Sequence, residues 1–165
     1  MIKKRELDID KVYLLNIKTF NDKRGSFLET YTDNINKVLG INVDWIQENE
    51  SLSHKNVFRG LHFQKQPYSQ SKLVSVSFGK ILDVAVDIRK DSENFGKYFS
   101  YVLSSDKHES LFIPKGFAHG YLTLSDSAII NYQVDNYYNP EAEEGIPHDD
   151  DFLKINWGIK KSKII

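Results

Sequence analysis

Between Val57 and Val76 the sequence reads Val-Phe-Arg-Gly-Leu-His-Phe-Gln, a polar loop, and then Ser-Lys-Leu-Val-Ser-Val. It sets a permanent cation (Arg59), a titratable imidazole (His62) and an amine (Lys72) into otherwise apolar, strand-like sequence. An imidazole can take or return a proton near neutral pH, and a nearby amine can neutralise negative charge that develops on an oxygen. Charges are costly to bury without partners, so a strand that carries several is expected to be built around a ligand.

The elements that must hold these groups are strands. Short runs of high β-propensity follow one another: Val57–Gln64, Lys72–Phe78, Lys80–Arg89, Tyr98–Leu103, Ser110–Ile113, Gly120–Leu124 and Ala128–Asn136. Turn residues separate them at roughly ten-residue intervals, the pattern of an all-β sandwich or barrel. Upstream, Lys11–Phe20 and Ser26–Thr30 read as strands around the turn at Gly25, and Val43–Ser53 as an extended stretch. Asp33–Leu39 reads as a short helix closed by Gly40. Alternate strand residues share a face, so Lys72, Val74 and Val76 line one side. Leu82, Val84, Val86 and Ile88 form an apolar row, with Asp83, Ala85 and Asp87 pointing the other way. Ile130, Tyr132 and Val134 share a face, which is expected to put Tyr132 inside the barrel. Arg59 and His62 are three apart and would face opposite sides of a regular strand, so a bulge or bend is expected at Gly60.

At 165 residues, 40% hydrophobic and 27% charged, with no linker or repeat, residues 1–165 read as one domain. A formal net charge of −1 offers no footprint for nucleic acid or a membrane surface. No apolar run approaches the length of a membrane span, and the start, Met-Ile-Lys-Lys-Arg-Glu, does not resemble a signal peptide. The absence of cysteine removes disulfides and thiolate chemistry and fits a cytoplasmic enzyme.

Five motifs together carry a family resemblance: Arg59-Gly-Leu-His62-Phe-Gln64, Lys72-Leu-Val, Asp83-Val-Ala-Val-Asp87-Ile-Arg89, Ile113-Pro-Lys-Gly-Phe-Ala-His119-Gly and Gly145-Ile-Pro-His-Asp-Asp. In this order and spacing, from about Phe20 to Trp157, the chain resembles the dTDP-4-dehydrorhamnose 3,5-epimerases. The resemblance implies a double-stranded β-helix, a cupin-type jelly roll with one or two short helices. It implies cofactor-independent epimerisation at C3 and C5 of a nucleotide-linked 4-keto-6-deoxy sugar, in deoxysugar synthesis for a cell-surface polysaccharide. His62 would be the base, Lys72 the group that stabilises an enolate oxygen, and Tyr132 the proton donor on the opposite side. Arg24, Glu29, Gln47, Asn49, Arg59, His119 and Glu143 match substrate-binding positions, and Tyr138 matches the tyrosine that stacks on thymine. The family's amino-terminal strands cross to a partner subunit, so a homodimer with shared sites is expected.

No metal is expected. Metal-binding cupins carry two histidines one residue apart, then a glutamate and a third histidine, and neither His62 nor His119 has such a neighbour. Nor is there a Gly-rich phosphate cradle. The family continues past its Ile-x-Trp motif into Leu-Ser-Glu-Lys-Asp, whose aspartate pairs with the catalytic histidine. Here Ile155-Asn-Trp157 is followed by a different run to Ile165, so either the chain is a shortened or differently ended member or another carboxylate orients His62; Asp83 is the candidate, its alternative reading being a partner for Lys72. Glu48 and His148 stand where many members have aspartate and tryptophan. Related scaffolds epimerise one carbon or move the ketone between C3 and C4. A sugar-nucleotide-binding cupin without catalysis is the alternative of another class.

Overall fold

The computed structural model describes residues 2–165. In chain order the strands are β1 (Ile2–Glu6), β2 (Tyr13–Ile17), β3 (Thr19–Asp22) and β4 (Gly25–Leu28), then helix α1 (Asn34–Leu39). They continue with β5 (Gln47–His54), β6 (Phe58–Gln64), β7 (Lys72–Phe78), β8 (Lys80–Asp87) and β9 (Tyr98–Ser104). The last are β10 (Glu109–Ile113), β11 (Phe117–Thr123), β12 (Ser127–Val134) and β13 (Glu143–Gly145), before a 3₁₀ turn at Lys161–Lys163.

Two antiparallel sheets face each other as a jelly roll. One has the order β1-β2-β10-β7-β12-β5 and the other β13-β6-β11-β8-β9, while β3 and β4 form a separate hairpin. Alternation places the apolar rows as expected. Val74, Val76, Leu111 and Ile130 of the first sheet meet Ile81, Ala85, Leu103 and Phe117 of the second in the inner core. The outward row Val84 and Val86 packs instead under Ile155 and Trp157. On the other outer face, Leu15, Leu73 and Phe112 are covered by Ile35 and Leu39 of α1. That helix ends where Gly40 turns left-handed at φ 71°, and the Gly40 and Ile41 N–H groups close on the carbonyls of Lys37 and Asn36.

The structure differs from the sequence expectations mainly at the edges. The expected strand Lys11–Phe20 is broken into β2 and β3, because its end leaves the sheet to form the hairpin. Strand β1 pairs with β2 along its length, Ile2 opposite Ile17, although Lys3–Glu6 is polar. Strand β13 is three residues at a sheet edge, too short to carry a periodic signal.

The irregularity expected at Gly60 is present. His119 lies opposite His62, but Tyr121 lies opposite Arg59, so β6 carries one extra residue across this step. The bulge turns Arg59 and His62, three apart, toward the same cavity. It also brings two backbones together. Gly60 has φ 112°, and a Cβ there would lie 2.5 Å from the His119 carbonyl oxygen and 2.6 Å from the Gly120 Cα. A Cβ on Gly120 would reciprocally meet the Arg59 carbonyl at 2.7 Å. Gly60→Ala is therefore expected to lose roughly 2 kcal/mol or more through a strained φ and a clash with rigid backbone. Urea unfolding measures it, and a change below about 0.5 kcal/mol would contradict the close approach.

Candidate active site

Both sheets contribute to one cavity of about 670 Å³ at the barrel mouth. The second sheet supplies Arg59, Gly60 and His62 from β6 and His119 and Tyr121 from β11. The first supplies Gln47, Asn49 and Ser51 from β5, Lys72 from β7, and Tyr132 and Val134 from β12. Tyr138 and Glu143 close one side. The registers explain the company. Val134 pairs with both Lys72 and Gln47, and Tyr132 with both Val74 and Asn49, so these side chains share the inner face across three strands. His62 and Tyr132 consequently line the same space from opposite sheets.

Most of the residues singled out from the sequence line this cavity: His62, Lys72, Tyr132, Gln47, Asn49, Arg59, His119, Tyr138 and Glu143. Arg24 and Glu29 do not. Arg24 sits on the exposed β3–β4 hairpin, its guanidinium 2.6 Å from Asp22, and Glu29 follows the hairpin in exposed chain. The expectation for Asp83 needs correction. Its carboxylate, fully buried, faces His119 with both oxygens at 3.0 and 3.1 Å from Nε2, and neither oxygen goes to His62. Asp83 lies on β8 opposite Tyr121, so β11 stands between it and β6. A carboxylate only accepts, so the pairing selects the ring with its proton on Nε2. His148 does not line the cavity; its ring packs on Phe58 at 5.4 Å and its carbonyl accepts the Trp157 indole N–H.

Two residues at the heart of the cavity, Tyr121 and Ser51, escaped the sequence reading. Tyr121, nearly buried, shares its hydroxyl with Ser51 at 2.9 Å and Ser53 at 3.1 Å, and Ser53 accepts the Arg59 Nε–H at 2.9 Å. The alternation running from Gln47 and Asn49 to Ser51 and Ser53 was the available signal, as was Tyr121 standing two residues after His119.

The electrostatics suit proton transfer. Desolvation, helped by Lys72, His119 and Arg59 and opposed by Glu143, pulls His62 below its ordinary value, so the imidazole is a free base at neutral pH. Desolvation also pushes Lys72 down to about 8, against the opposing charges of Asp83 and Glu143. Burial first, and then Tyr121, raise Tyr132, which keeps its phenol protonated. Among the described residues no three His, Asp or Glu side chains converge to hold a metal ion, and no helix is long and apolar enough to cross a membrane. A second cavity of about 460 Å³ lies on the outer face of the six-stranded sheet, lined by Glu48, Glu50 and Asn131 among others. Tyr132 and His108 border it, but His62, Arg59 and Lys72 do not.

A model of the dTDP-4-dehydrorhamnose 3,5-epimerase family matches residues 6–165. The Escherichia coli (strain K12) protein named dTDP-4-dehydrorhamnose 3,5-epimerase is 46% identical over 151 residues, covering 91% of this chain and 82% of its own. The Legionella pneumophila dTDP-6-deoxy-D-glucose-3,5-epimerase, solved with dTDP-4-keto-L-rhamnose, superposes with a TM-score of 0.94 at 40% identity, over 98% of this chain and 86% of its own. The Bacillus anthracis dTDP-4-dehydrorhamnose 3,5-epimerase, solved with TDP and PPi bound, gives 0.94 at 41% identity over 98% and 93%.

Because the Asp83 carboxylate favours the charged form of Lys72, Asp83→Asn is expected to move the lysine's midpoint from about 8 to a lower pH. NMR titration of the isotopically labelled Lys72 amine reads it directly. An unchanged or higher midpoint would show that Asp83 does not act on this amine.

Proposed function

The chain belongs to the dTDP-4-dehydrorhamnose 3,5-epimerase family, and from that premise we propose that it inverts C3 and C5 of a dTDP-linked 4-keto-6-deoxy sugar by removing and returning protons. The observation that carries this reading is the cavity shared by His62 and Tyr132 from opposite sheets, with Lys72 beside them. Protons on carbons next to a ketone are acidic because the electron pair left behind delocalises onto oxygen. His62, unprotonated at neutral pH, takes such a proton, and the C–H pair becomes the enolate. The Lys72 ammonium, charged below about pH 8, stabilises the enolate oxygen. The Tyr132 phenol, kept protonated by its surroundings, delivers a proton to the same carbon from the other face. The sugar loses one proton and gains one, and His62 and Tyr132 return to their starting states by proton exchange with water, so the cycle needs no oxidant or reductant.

Arg59 and His119 suit the diphosphate and sugar oxygens, and Gln47, Asn49 and Glu143 the hydroxyls, while Tyr138, whose ring is largely exposed, suits stacking on thymine. Arg24 and Glu29 enter the same scheme only through a second copy of the chain. The exposed rings of Phe20 and Phe27 on the hairpin support a homodimer in which each hairpin reaches its partner's cavity. The inner core shared by both sheets supports one domain over residues 1–165, and the cysteine-free composition supports a cytoplasmic enzyme.

The test is proton NMR of dTDP-4-keto-6-deoxyglucose with the protein in D₂O. Both the C3 and C5 proton signals are expected to vanish, and His62→Ala to abolish the exchange. Tyr132→Phe should slow inversion by about 10²- to 10⁴-fold while the histidine face still exchanges. Loss of one signal would make the protein a single-centre epimerase. If the sugar binds and neither proton exchanges, the chain is a binding protein.

A further inference from the structure

Gln64 ends β6 two residues beyond His62, is almost fully buried, and takes no part in the proton-transfer scheme. Its amide nevertheless makes three bonds to backbone. The side-chain nitrogen donates to the Tyr68 carbonyl at 2.6 Å and to the Tyr137 carbonyl at 3.1 Å, and the side-chain oxygen accepts the Asn139 N–H at 2.6 Å. Two of those partners, Tyr137 and Asn139, flank Tyr138. The chain is thus gripped on both sides of a residue that is itself 56% exposed at the cavity wall. The far end of the ring is held as well: its hydroxyl donates to Glu143 Oε2 at 2.9 Å, and Glu143 is the register partner of Gln64 across the β13–β6 edge. Tyr138 is therefore fixed at its backbone and at its hydroxyl, both times to the edge of the strand that carries His62.

Only a glutamine supplies this grip. Two carbonyls need two N–H donors and one amide N–H needs an acceptor. A carboxylate would set oxygen against both carbonyls, an apolar side chain would make none of the three bonds, and asparagine is one methylene too short. A ring that is largely exposed gains little from packing, so its orientation before a ligand arrives depends on what holds its ends.

We propose that Gln64 is a positioning residue for nucleotide recognition, holding Tyr138 in the plane in which it stacks on the base. This rests on the reading of Tyr138 as the base-stacking residue. Gln64 then acts on the nucleoside half of the substrate and leaves the diphosphate contacts alone.

Isothermal titration of dTDP and of inorganic pyrophosphate against wild type, Gln64→Leu, Tyr138→Ala and the double variant tests this. Gln64→Leu is expected to weaken dTDP about tenfold and leave pyrophosphate unchanged, and in turnover to raise KM by more than it lowers kcat. The double variant should bind dTDP no more weakly than Tyr138→Ala alone, because a glutamine acting through the tyrosine has nothing left to position. Should Gln64→Leu not fold, Gln64→Glu, which keeps the volume, is expected to give the same ordering. Equal losses for dTDP and pyrophosphate, or losses that multiply in the double variant, would overturn the inference and mark Gln64 as a structural residue only. If Tyr138→Ala binds dTDP normally, the stacking reading itself fails and takes the inference with it. If Tyr138→Ala is impaired and Gln64→Leu is not, the inference fails alone.

Discussion

The approach of β6 and β11 at Gly60 and Gly120 is the constraint on which the rest depends. Two backbones meet there at distances that exclude a side chain on either strand. The extra residue that β6 carries across this step changes its face. Without it, a strand of period 2 would send Arg59 and His62 to opposite sides, one into the cavity and one under Trp157. With it, a base and a cation enter the barrel from the same strand. Lys72 and Tyr132 need no such device, since each already lies on the inner face within the regular stretch that pairs Lys72–Val76 with Ile130–Val134.

Gathering Arg59, Lys72 and His119 into one partly desolvated space is unfavourable in itself, and the cavity offsets it locally. Asp83, fully buried, is held by His119, and its charge together with that of Glu143 supports the Lys72 ammonium. Desolvation still wins at Lys72, whose pKa lies at about 8. The same environment keeps His62 a base and Tyr132 an acid. One field therefore suits the three groups to the different tasks that the proposed proton transfer gives them.

The barrel was largely legible in the sequence because alternation on β7, β8 and β12 is clean and turn residues punctuate the runs. The bulge was legible for a stereochemical reason: two polar residues three apart with glycine between them cannot both serve a site on a regular strand. Asp83 could be placed on the inner face but not paired, since period 2 assigns a side and says nothing of which neighbour lies across the next strand. Tyr121 and Ser51 were missed because a tyrosine or serine on an inner face reads as core until the hydroxyl network joining them to Arg59 through Ser53 is seen. Arg24 and Glu29, matched to substrate-binding positions by resemblance, lie on the exposed hairpin or just beyond it, away from the cavity of their own chain, so a single chain does not bring them to the site.

The most direct single measurement is a crystal structure of the protein with a dTDP-linked 6-deoxy sugar. The sugar ring is expected between His62 and Tyr132, with the C4 oxygen toward Lys72 and the thymine against Tyr138. A ligand seated instead in the outer cavity between Glu48, Glu50 and Asn131, or a sugar that leaves His62 and Tyr132 on the same side of its ring, would contradict the assignment of base and acid to opposite sheets.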